Sequence, residues 1–589
     1  MCGLAGVMMK NGAPVDPAVL ERLRVALGHR GPDGSGVLRR DDIGLVHTRL
    51  AIVDLVTGDQ PLCNAAGVAA IANGEIYNAP ELRAALPGWP FGTTSDCEPI
   101  LPLYERDGAD FCRDLRGMYA IALHDPATGQ LFLARDPFGI KPLYYAETAT
   151  CFAFASEAEA LIEAGLVPAA EDSAKRNELL QLKYITGTAT IFPGIHRVLP
   201  GETLTLAGGG IATRQHRPAL PAGTGRAPRA MSEAEALRRF ERVMGDSLAV
   251  HLRMDTPWRL YFSGGIDSAV LLTLARQVSA TPVQALTIGY EGAARVDESH
   301  RALRIAAASG VACERVEMAA ADFWRFAPRI AAAIDDPCTD PAVLPTYMLA
   351  VATRAAGAKV ALCGEGADEQ FAGYARYRRA LLPAFLRRRK SRRGVFDRIP
   401  GAPRLAGWDA GILAVEARET AARHSRLATL LAIDNAEWLP NNLLIKLDRC
   451  LMAVGIEGRT PFLDREVIAF ADSLPDRLRA RFRHGKVLLR DWLAKANPAA
   501  EPYAKKRGFG VPVGAWMAPR QADLARLVAC QPGIARVFTP EQVGAVFARL
   551  EEDAQPAWSL LFYALWHSHH LLGLPADGDI AAVLAEAGR

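Results

Sequence analysis

Three places in the chain bring together residue types that could do chemistry. Cys2 precedes a short apolar, strand-like run. Once Met1 is removed, as a small second residue permits, Cys2 carries both a thiol and a free α-amine of pKa about 8, so that one residue supplies a nucleophile and its general base. A cysteine at position 2 taken alone is more often accidental. The second place is Trp258 to Ser268, WRLYFSGGIDS, followed by the apolar run Ala269 to Ala275, which reads as strand, tight loop and buried helix. Gly264 and Gly265 allow close approach of a ligand to backbone N–H groups. Ser263 and Ser268 add hydroxyls, and the helix start contributes its positive dipole end, a combination suited to pyrophosphate. A carboxylate in such a nest repels phosphate unless a divalent cation lies between, which makes Asp267 a candidate Mg²⁺ ligand. A glycine-rich turn with a capping Ser/Asp pair is the competing reading of SGG alone. No GxxxxGK[ST] occurs to bind ATP in the commoner way. The third place is CGEGADE, Cys363 to Glu369, directly after the apolar strand Lys359 to Leu362; it is either a loop with helix-capping acids or a second wall of the same site.

These groups need a scaffold, and the chain divides accordingly. Residues 1–215 alternate short β-like runs (Leu45 to Val53, Val68 to Ile71, Met118 to Leu123, Leu131 to Ala134, Cys151 to Ala155) with turn residues. Helices are predicted at Pro17 to Leu27 and Glu98 to Arg106, giving an α+β layered domain. Residues 207–230, rich in Gly, Pro and Ala, read as linker, with the domain limits at 215 and 232. Ser232 and Glu235 form a capping-box start, and an α/β core follows with strands near Leu260, Val283 to Ile288 and Val360 to Leu362. Beyond about residue 375 the pattern is helical to the end. The basic run Phe385 to Arg398 reads as a solvated face rather than an anion site.

Composition narrows the function classes. The 589 residues exceed one core, and 50% are hydrophobic, so burial is not limiting. The formal charge of +3, from 68 basic and 65 acidic residues, argues against nucleic acid or a membrane surface as the main partner and for small substrates. Ten cysteines without CxxC pairs or His/Cys clusters indicate neither a disulfide framework nor a zinc site, and suit a reduced, cytoplasmic chain. No signal peptide or 18-residue apolar run is evident.

Around Cys2 stand HRGPDG (His29 to Gly34), HTRLAIVD (His47 to Asp54), NGEIYN (Asn73 to Asn78), TTSDCE (Thr93 to Glu98) and RDPFGIKPLYY (Arg135 to Tyr145). With these motifs in this order, the first half resembles the class II glutamine amidotransferases, which have an N-terminal-nucleophile glutaminase domain. The resemblance implies that Arg49 holds the α-carboxylate of glutamine, Asp96 and Glu75 take its α-ammonium, and the Asn73 side chain with the Gly74 N–H forms the oxyanion hole as Cys2 attacks the side-chain amide. With SGGIDS behind such a domain, and VDES (Val296 to Ser299), DDP (Asp335 to Pro337), CGEGADE, FAGY (Phe371 to Tyr374), the stretch Lys446 to Asp464, HGK (His484 to Lys486) and KKRGFGVP (Lys505 to Pro512) following, nearly the whole chain resembles the glutamine-dependent asparagine synthetases.

That family carries an ATP-pyrophosphatase-type parallel-sheet domain with a largely helical C-terminal part. The resemblance implies ATP as substrate, with Phe262, Ile288, Cys363 and Gly364 at adenosine, and Mg²⁺ on Asp267 and Asp368. It further implies Glu365 as general base for attacking ammonia and Lys486 as neutraliser of phosphate charge. Glutamine and aspartate are the implied small substrates, and a homodimer is compatible with the family. Four departures bear on the acceptor: Cys363 in place of the usual Ser, Gln370 in place of an apolar residue, Gly458 where a side chain is usual, and Gly310 to Met318 lacking a common histidine. They leave open another carboxylate, such as a uronic acid or peptide. Ammonia made at Cys2 must reach the adenylating site unprotonated, so the two pockets are expected to face each other across a passage of apolar and small residues with few charges.

Overall fold

The structure, a computed structural model, describes residues 2–220, 231–293, 296–383, 392–423, 425–504 and 510–588. Apolar residues alternating along short runs produce two antiparallel six-stranded sheets in the first part of the chain. One has the order β10-β8-β9-β1-β3-β2, the other β12-β11-β7-β6-β5-β4. Their strands are β1 (Gly3–Met9), β2 (Gly34–Arg40), β3 (Ile43–Arg49), β4 (Leu62–Cys63), β5 (Ala69–Ile76), β6 (Gly117–Asp125), β7 (Gln130–Arg135), β8 (Tyr144–Glu147), β9 (Cys151–Ala155), β10 (Ile195–Arg197), β11 (Glu202–Ala207) and β12 (Gly210–His216). Leu4, Met8, Leu45 and Phe154 of the first sheet pack against Ile71, Ala122, Leu133 and Leu204 of the second, forming the filling of a sandwich. The helices Pro17–Ala26 and Ala158–Glu163 cover one outer face, and Ala79–Ala85 with Ile100–Asp107 cover the other. β1 lies inside its sheet, pairing Gly3 with Thr48 on one side and Ala5 with Ala155 on the other, so Cys2 sits at the end of an interior strand.

The α+β expectation holds, with one correction at its end. Residues 207–216, which composition assigns to the linker, close β11 and form β12, which pairs with β11 along its length; the glycines there turn a hairpin rather than loosen the chain. Residues 221–230 of the expected linker lie outside the described residues, as do the first half of the basic run (385–391) and positions 505–509 of KKRGFGVP.

The second part opens with the helix Glu233–His251, whose N-cap Ser232 accepts the Glu235 N–H at 3.2 Å, one half of the predicted capping box. A five-stranded sheet of order β15-β14-β13-β16-β17 follows, every pairing parallel: β13 (Trp258–Tyr261), β14 (Gln284–Tyr290), β15 (Ala312–Met318), β16 (Val360–Leu362) and β17 (Glu457–Arg459). Helices lie on both faces, as a parallel sheet requires. Glu233–His251, Ile266–Val278 and Val487–Ala496 pack on one side. Ala320–Ala333, Val343–Ala355, Ile445–Met452 and the C-terminal helix Gln555–His570 pack on the other. β13 and β16 are neighbours, so the SGGIDS and CGEGADE loops leave the sheet side by side at its carboxyl edge, where open α/β sheets bind ligands. Among the described residues no helix is long and apolar enough to cross a membrane.

Candidate functional site

At the first site Cys2 is 8% exposed, and burial raises its thiol above the ordinary value. Its backbone N–H donates to Asn73 Oδ1 at 3.0 Å. Because only the amide oxygen can accept, this bond fixes the orientation of the Asn73 side chain. The Nδ2 donor then points away from Cys2 N–H, buried and without a protein partner. Gly74 follows on β5, where a Cβ would lie 2.0 Å from the Met118 carbonyl oxygen, so no other residue fits.

The residues expected to recognise glutamine have partners of their own. Arg49 Nη1 lies 2.8 Å from Asp59, whose side chain is 80% exposed, and Nη2 donates to the Asp54 carbonyl. A substrate carboxylate would take the place of Asp59. Asp96 Oδ2 accepts the Ile76 N–H at 2.6 Å, and burial pushes its carboxyl up to about 6 against that bond. Glu75, also driven up by burial, lies 3.1 Å from Arg459 Nη2, and Arg459 Nε bonds Glu457 at 2.6 Å. Asp96 and Glu75 share a cavity of 520 Å³ that also takes in Arg253, Met254 and Asp255 from the second half; Cys2, Arg49 and Asn73 lie outside its lining. Glu457 and Arg459 were not foreseen. They sit in the quoted Lys446 to Asp464 stretch but hundreds of residues from Glu75, and only the fold joins them.

The second site is a cavity of 330 Å³ at the carboxyl edge of the parallel sheet. Its lining includes Phe262, Ser263, Gly265, Asp267, Ser268, Ile288, Cys363, Gly364, Glu365, Asp368 and Lys486, residues expected from three separate motifs and, for Ile288, from β14. Gly264 lies just behind. Its φ of +71° belongs to the left-handed region and its carbonyl accepts from Arg301 at 2.8 Å, holding the loop open. Ser263 Oγ receives the Gly265 N–H and lies 3.2 Å from Ser268 Oγ. Lys486 Nζ stands 2.6 Å from Asp267 Oδ2 and 2.7 Å from Asp368 Oδ1. Burial alone would lower this lysine, but the two carboxylates carry its pKa upward, so it stays charged. Two adjacent hard-oxygen donors facing a cavity are the set that Mg²⁺ shares with phosphate oxygens, and the donor chemistry fits that ion.

Glu365 is raised by burial, with Lys446 opposing. Lys446 itself is 3.4 Å from Asp340. Glu369, given no role by sequence, is pushed up to about 8 by burial and by Asp368, and accepts from the Tyr374 hydroxyl at 2.6 Å. Cys363 is buried and its N–H donates to the Arg459 carbonyl at 2.9 Å, so the departure from Ser leaves the strand bond intact. Gln370 turns away to Asn435, and Gly458 is buried on β17.

The seam between the two halves carries buried charges in pairs. Arg30, fully buried, donates to the Cys2 carbonyl at 3.2 Å and pairs with Glu157 at 2.6 Å and Asp448 at 2.9 Å. Arg449 bonds Asp448 at 2.7 Å and Asp335 at 2.6 Å. The DDP motif therefore docks the halves: Asp335 accepts from the Ala158 N–H, and Asp336 takes Arg197 in a two-pronged pair at 2.6 Å. Apolar contacts alternate with these charges, with Tyr77, Met118 and Ile140 packed against Leu439, Leu444 and Leu463. Every seam charge named has an opposite partner, which keeps buried ions tolerable.

The glutamine amidotransferase domain profile matches residues 1–217, and the asparagine synthase profile matches residues 239–568. The chain is 28% identical to asparagine synthetase [glutamine-hydrolyzing] 1 of Bacillus subtilis (strain 168), over 96% of each chain. It is 30% identical to a putative asparagine synthetase [glutamine-hydrolyzing] of Mycobacterium bovis, over 96% of this chain and 97% of that one. It is also 27% identical to amidase chyE of Penicillium rubens, over 85% of each.

Proposed function

The chain belongs to the asparagine synthase family of glutamine-hydrolysing, ATP-dependent ligases, and from that membership we propose that it converts aspartate, glutamine, ATP and water to asparagine, glutamate, AMP and pyrophosphate. The observation that carries the reading is the convergence of Asp267, Glu365, Asp368 and Lys486 on one cavity beside the SGGIDS loop. In the mature protein the α-amine of Cys2 takes the thiol proton as sulfur attacks the glutamine side-chain carbonyl, and the Asn73 Nδ2 and Gly74 N–H groups hold the oxyanion. Arg49 and Asp96 grip the two ends of the substrate. Glu75, already facing Arg459, serves as a secondary partner for the ammonium.

At the second site the carboxylate of the acceptor attacks the α-phosphate of ATP, and pyrophosphate departs into the SGGIDS loop. Mg²⁺, when bound through Asp267 and Asp368, neutralises phosphate charge. Lys486, held between the two carboxylates, adds positive charge toward the phosphates, and Glu365, its pKa raised by burial, takes the proton lost when ammonia attacks the acyl-adenylate.

A second reading keeps this chemistry with a different carboxylate. It is favoured by the cavity wall around Lys446, where Ala342, Thr346, Leu349, Leu443 and Leu447 offer little to an amino acid's charged α-groups and Lys446 itself is engaged by Asp340. Incubation with ATP, ammonium and a panel of carboxylates, read as AMP formation with product mass, separates the two. Aspartate-dependent AMP with asparagine supports the first; AMP only with uronic acids or peptides supports the second.

A further inference from the structure

Far from both cavities in sequence, the helix Ala158–Glu163 of the first half and the end of the C-terminal helix Gln555–His570 meet, and their contact is polar. Glu159 Oε1 lies 2.8 Å from His570 Nδ1 and 3.6 Å from His569 Nε2. The other nitrogen of each ring faces a carbonyl: His570 Nε2 is 3.2 Å from Ala331 O, and His569 Nδ1 is 2.9 Å from Leu574 O. A carbonyl only accepts, so both of those nitrogens carry the proton. In the neutral rings this turns two imidazole lone pairs onto a carboxylate oxygen, which also offers only lone pairs. With both rings neutral, three electron-pair donors converge on one point; with His570 protonated, a state that Glu159 favours, the Nδ1–H donates to the carboxylate instead. Imidazoles fixed from behind by N–H···O=C bonds are what metal-ligating histidines have.

We propose that Glu159, His569 and His570 hold a borderline divalent cation of the Zn²⁺ class, which ties the C-terminal helix to the first half of the molecule. The three ligand atoms lie within 4.8 Å of one another. Tetrahedral Zn²⁺ with N and O ligands requires separations of about 3.3 Å, and the observed 2.8 and 3.6 Å bracket that value. Two imidazoles with one carboxylate suit Zn²⁺, Co²⁺ or Ni²⁺ rather than Mg²⁺. His570 is fully buried while Glu159 and His569 are partly exposed, so the ion would be seated from one side. On the carboxylate's side lies a cavity of 320 Å³ lined by Glu159 together with His29, Glu157, Glu163 and Arg329, while neither histidine reaches its wall. The expectation that no zinc site exists came from local Cys and His spacing. HSHH, His567 to His570, shows two of the three ligands, and the carboxylate lies 411 residues away.

The test uses untagged, chelator-treated full-length protein in excess Mg²⁺, which occupies the carboxylate sites of the ATP cavity. Titration with Co²⁺ should saturate at one equivalent with visible d–d absorption, and Zn²⁺ should bleach it. Glu159→Gln and His569→Gln should each weaken Co²⁺ binding about 100-fold and abolish the Zn²⁺-induced rise in melting temperature, with glutamine hydrolysis at Cys2 reporting that both variants fold. Absence of saturable Co²⁺ uptake by the unsubstituted protein overturns the proposal and leaves a plain imidazolium–carboxylate pair. Undiminished uptake in both variants overturns it as well, by placing the ion elsewhere.

Discussion

Around Cys2 the polar groups are arranged about a donor with nothing to bind, Asn73 Nδ2, whereas around Lys486 the charges already satisfy one another, with one ammonium between two carboxylates. The first site handles a neutral amide that becomes an anion only in the transition state. A buried donor left without a protein partner costs about 1–3 kcal/mol before that moment and stabilises the oxyanion when it forms. The second handles a polyanion and its counter-ions, so it must be close to neutral when empty and must exchange internal partners for external ones. The two cavities thus differ in what is held in reserve, a hydrogen-bond donor in one and a charge balance in the other. The same loss of a single polar group should therefore act on them independently.

The sharpest way to break the comparison is Cys2→Ala. Glutamine hydrolysis should fall by at least roughly 10⁴-fold, as for loss of other catalytic nucleophiles, while ammonium-driven AMP formation stays intact. Equal loss of both activities would mean the sites are not separable. The converse is Asp267→Asn, which should lower AMP formation by about 10²- to 10³-fold and leave glutamine hydrolysis unchanged. The neutral amide still reaches Lys486 but balances no charge. Unchanged AMP formation would reduce Asp267 to a helix-capping residue.

A smaller effect sharpens the contrast through pH. The Asp96 carboxyl, raised by burial to about 6, gains its proton as the pH falls through that value and then cannot balance the glutamine ammonium. KM for glutamine should rise about tenfold per pH unit below 6, with kcat less affected, and Asp96→Asn should show a high, flat KM. Lys486, carried upward by its two carboxylates, does not titrate in this range, and Glu369 of the same cavity is pushed up to about 8, so any drift in KM for ATP should centre near 8 and leave the region below pH 6 level. A parallel rise in both constants would point to a global change rather than to Asp96.

What sequence could and could not reveal follows the same division. Each loop that lines the ATP cavity follows its own strand, so SGGIDS and CGEGADE were legible as chemistry and the parallel sheet brought them together. Cys151–Ala155 and Val360–Leu362 were predicted to the residue because apolar runs there are bounded by turn residues. The hairpin at 207–216 was lost because its glycines and polar outward face resemble a linker. The partners of the glutamine pocket were illegible for another reason: Arg459 opposite Glu75, and Asp448 opposite Arg30, arise from the docking of the two halves, which leaves no local period or spacing in either segment. DDP illustrates the same limit. It was recognised as a motif of the synthetase half, yet its two acids reach back to Ala158 and Arg197.

The smallest effect concerns that docking. Ammonia released at Cys2 stays nucleophilic only if it avoids water, and the seam it would cross is built from paired ions rather than from apolar residues alone. Arg30 is the link, because one guanidinium bonds the Cys2 carbonyl, Glu157 and Asp448 at once. A lysine keeps the charge but not the planar fork, so Arg30→Lys should loosen the seam without removing either site. The expected result is a change in coupling: glutamate formed per AMP should rise from roughly one to roughly two, a modest misplacement effect for a transferred intermediate. In medium containing ¹⁵N-ammonium, label in the amide product should rise with it. Both half-reactions assayed separately should change little. If the unsubstituted protein already exchanges glutamine nitrogen fully with the medium, ammonia is not conducted across the seam. The paired charges then serve only to hold two independent enzymes together.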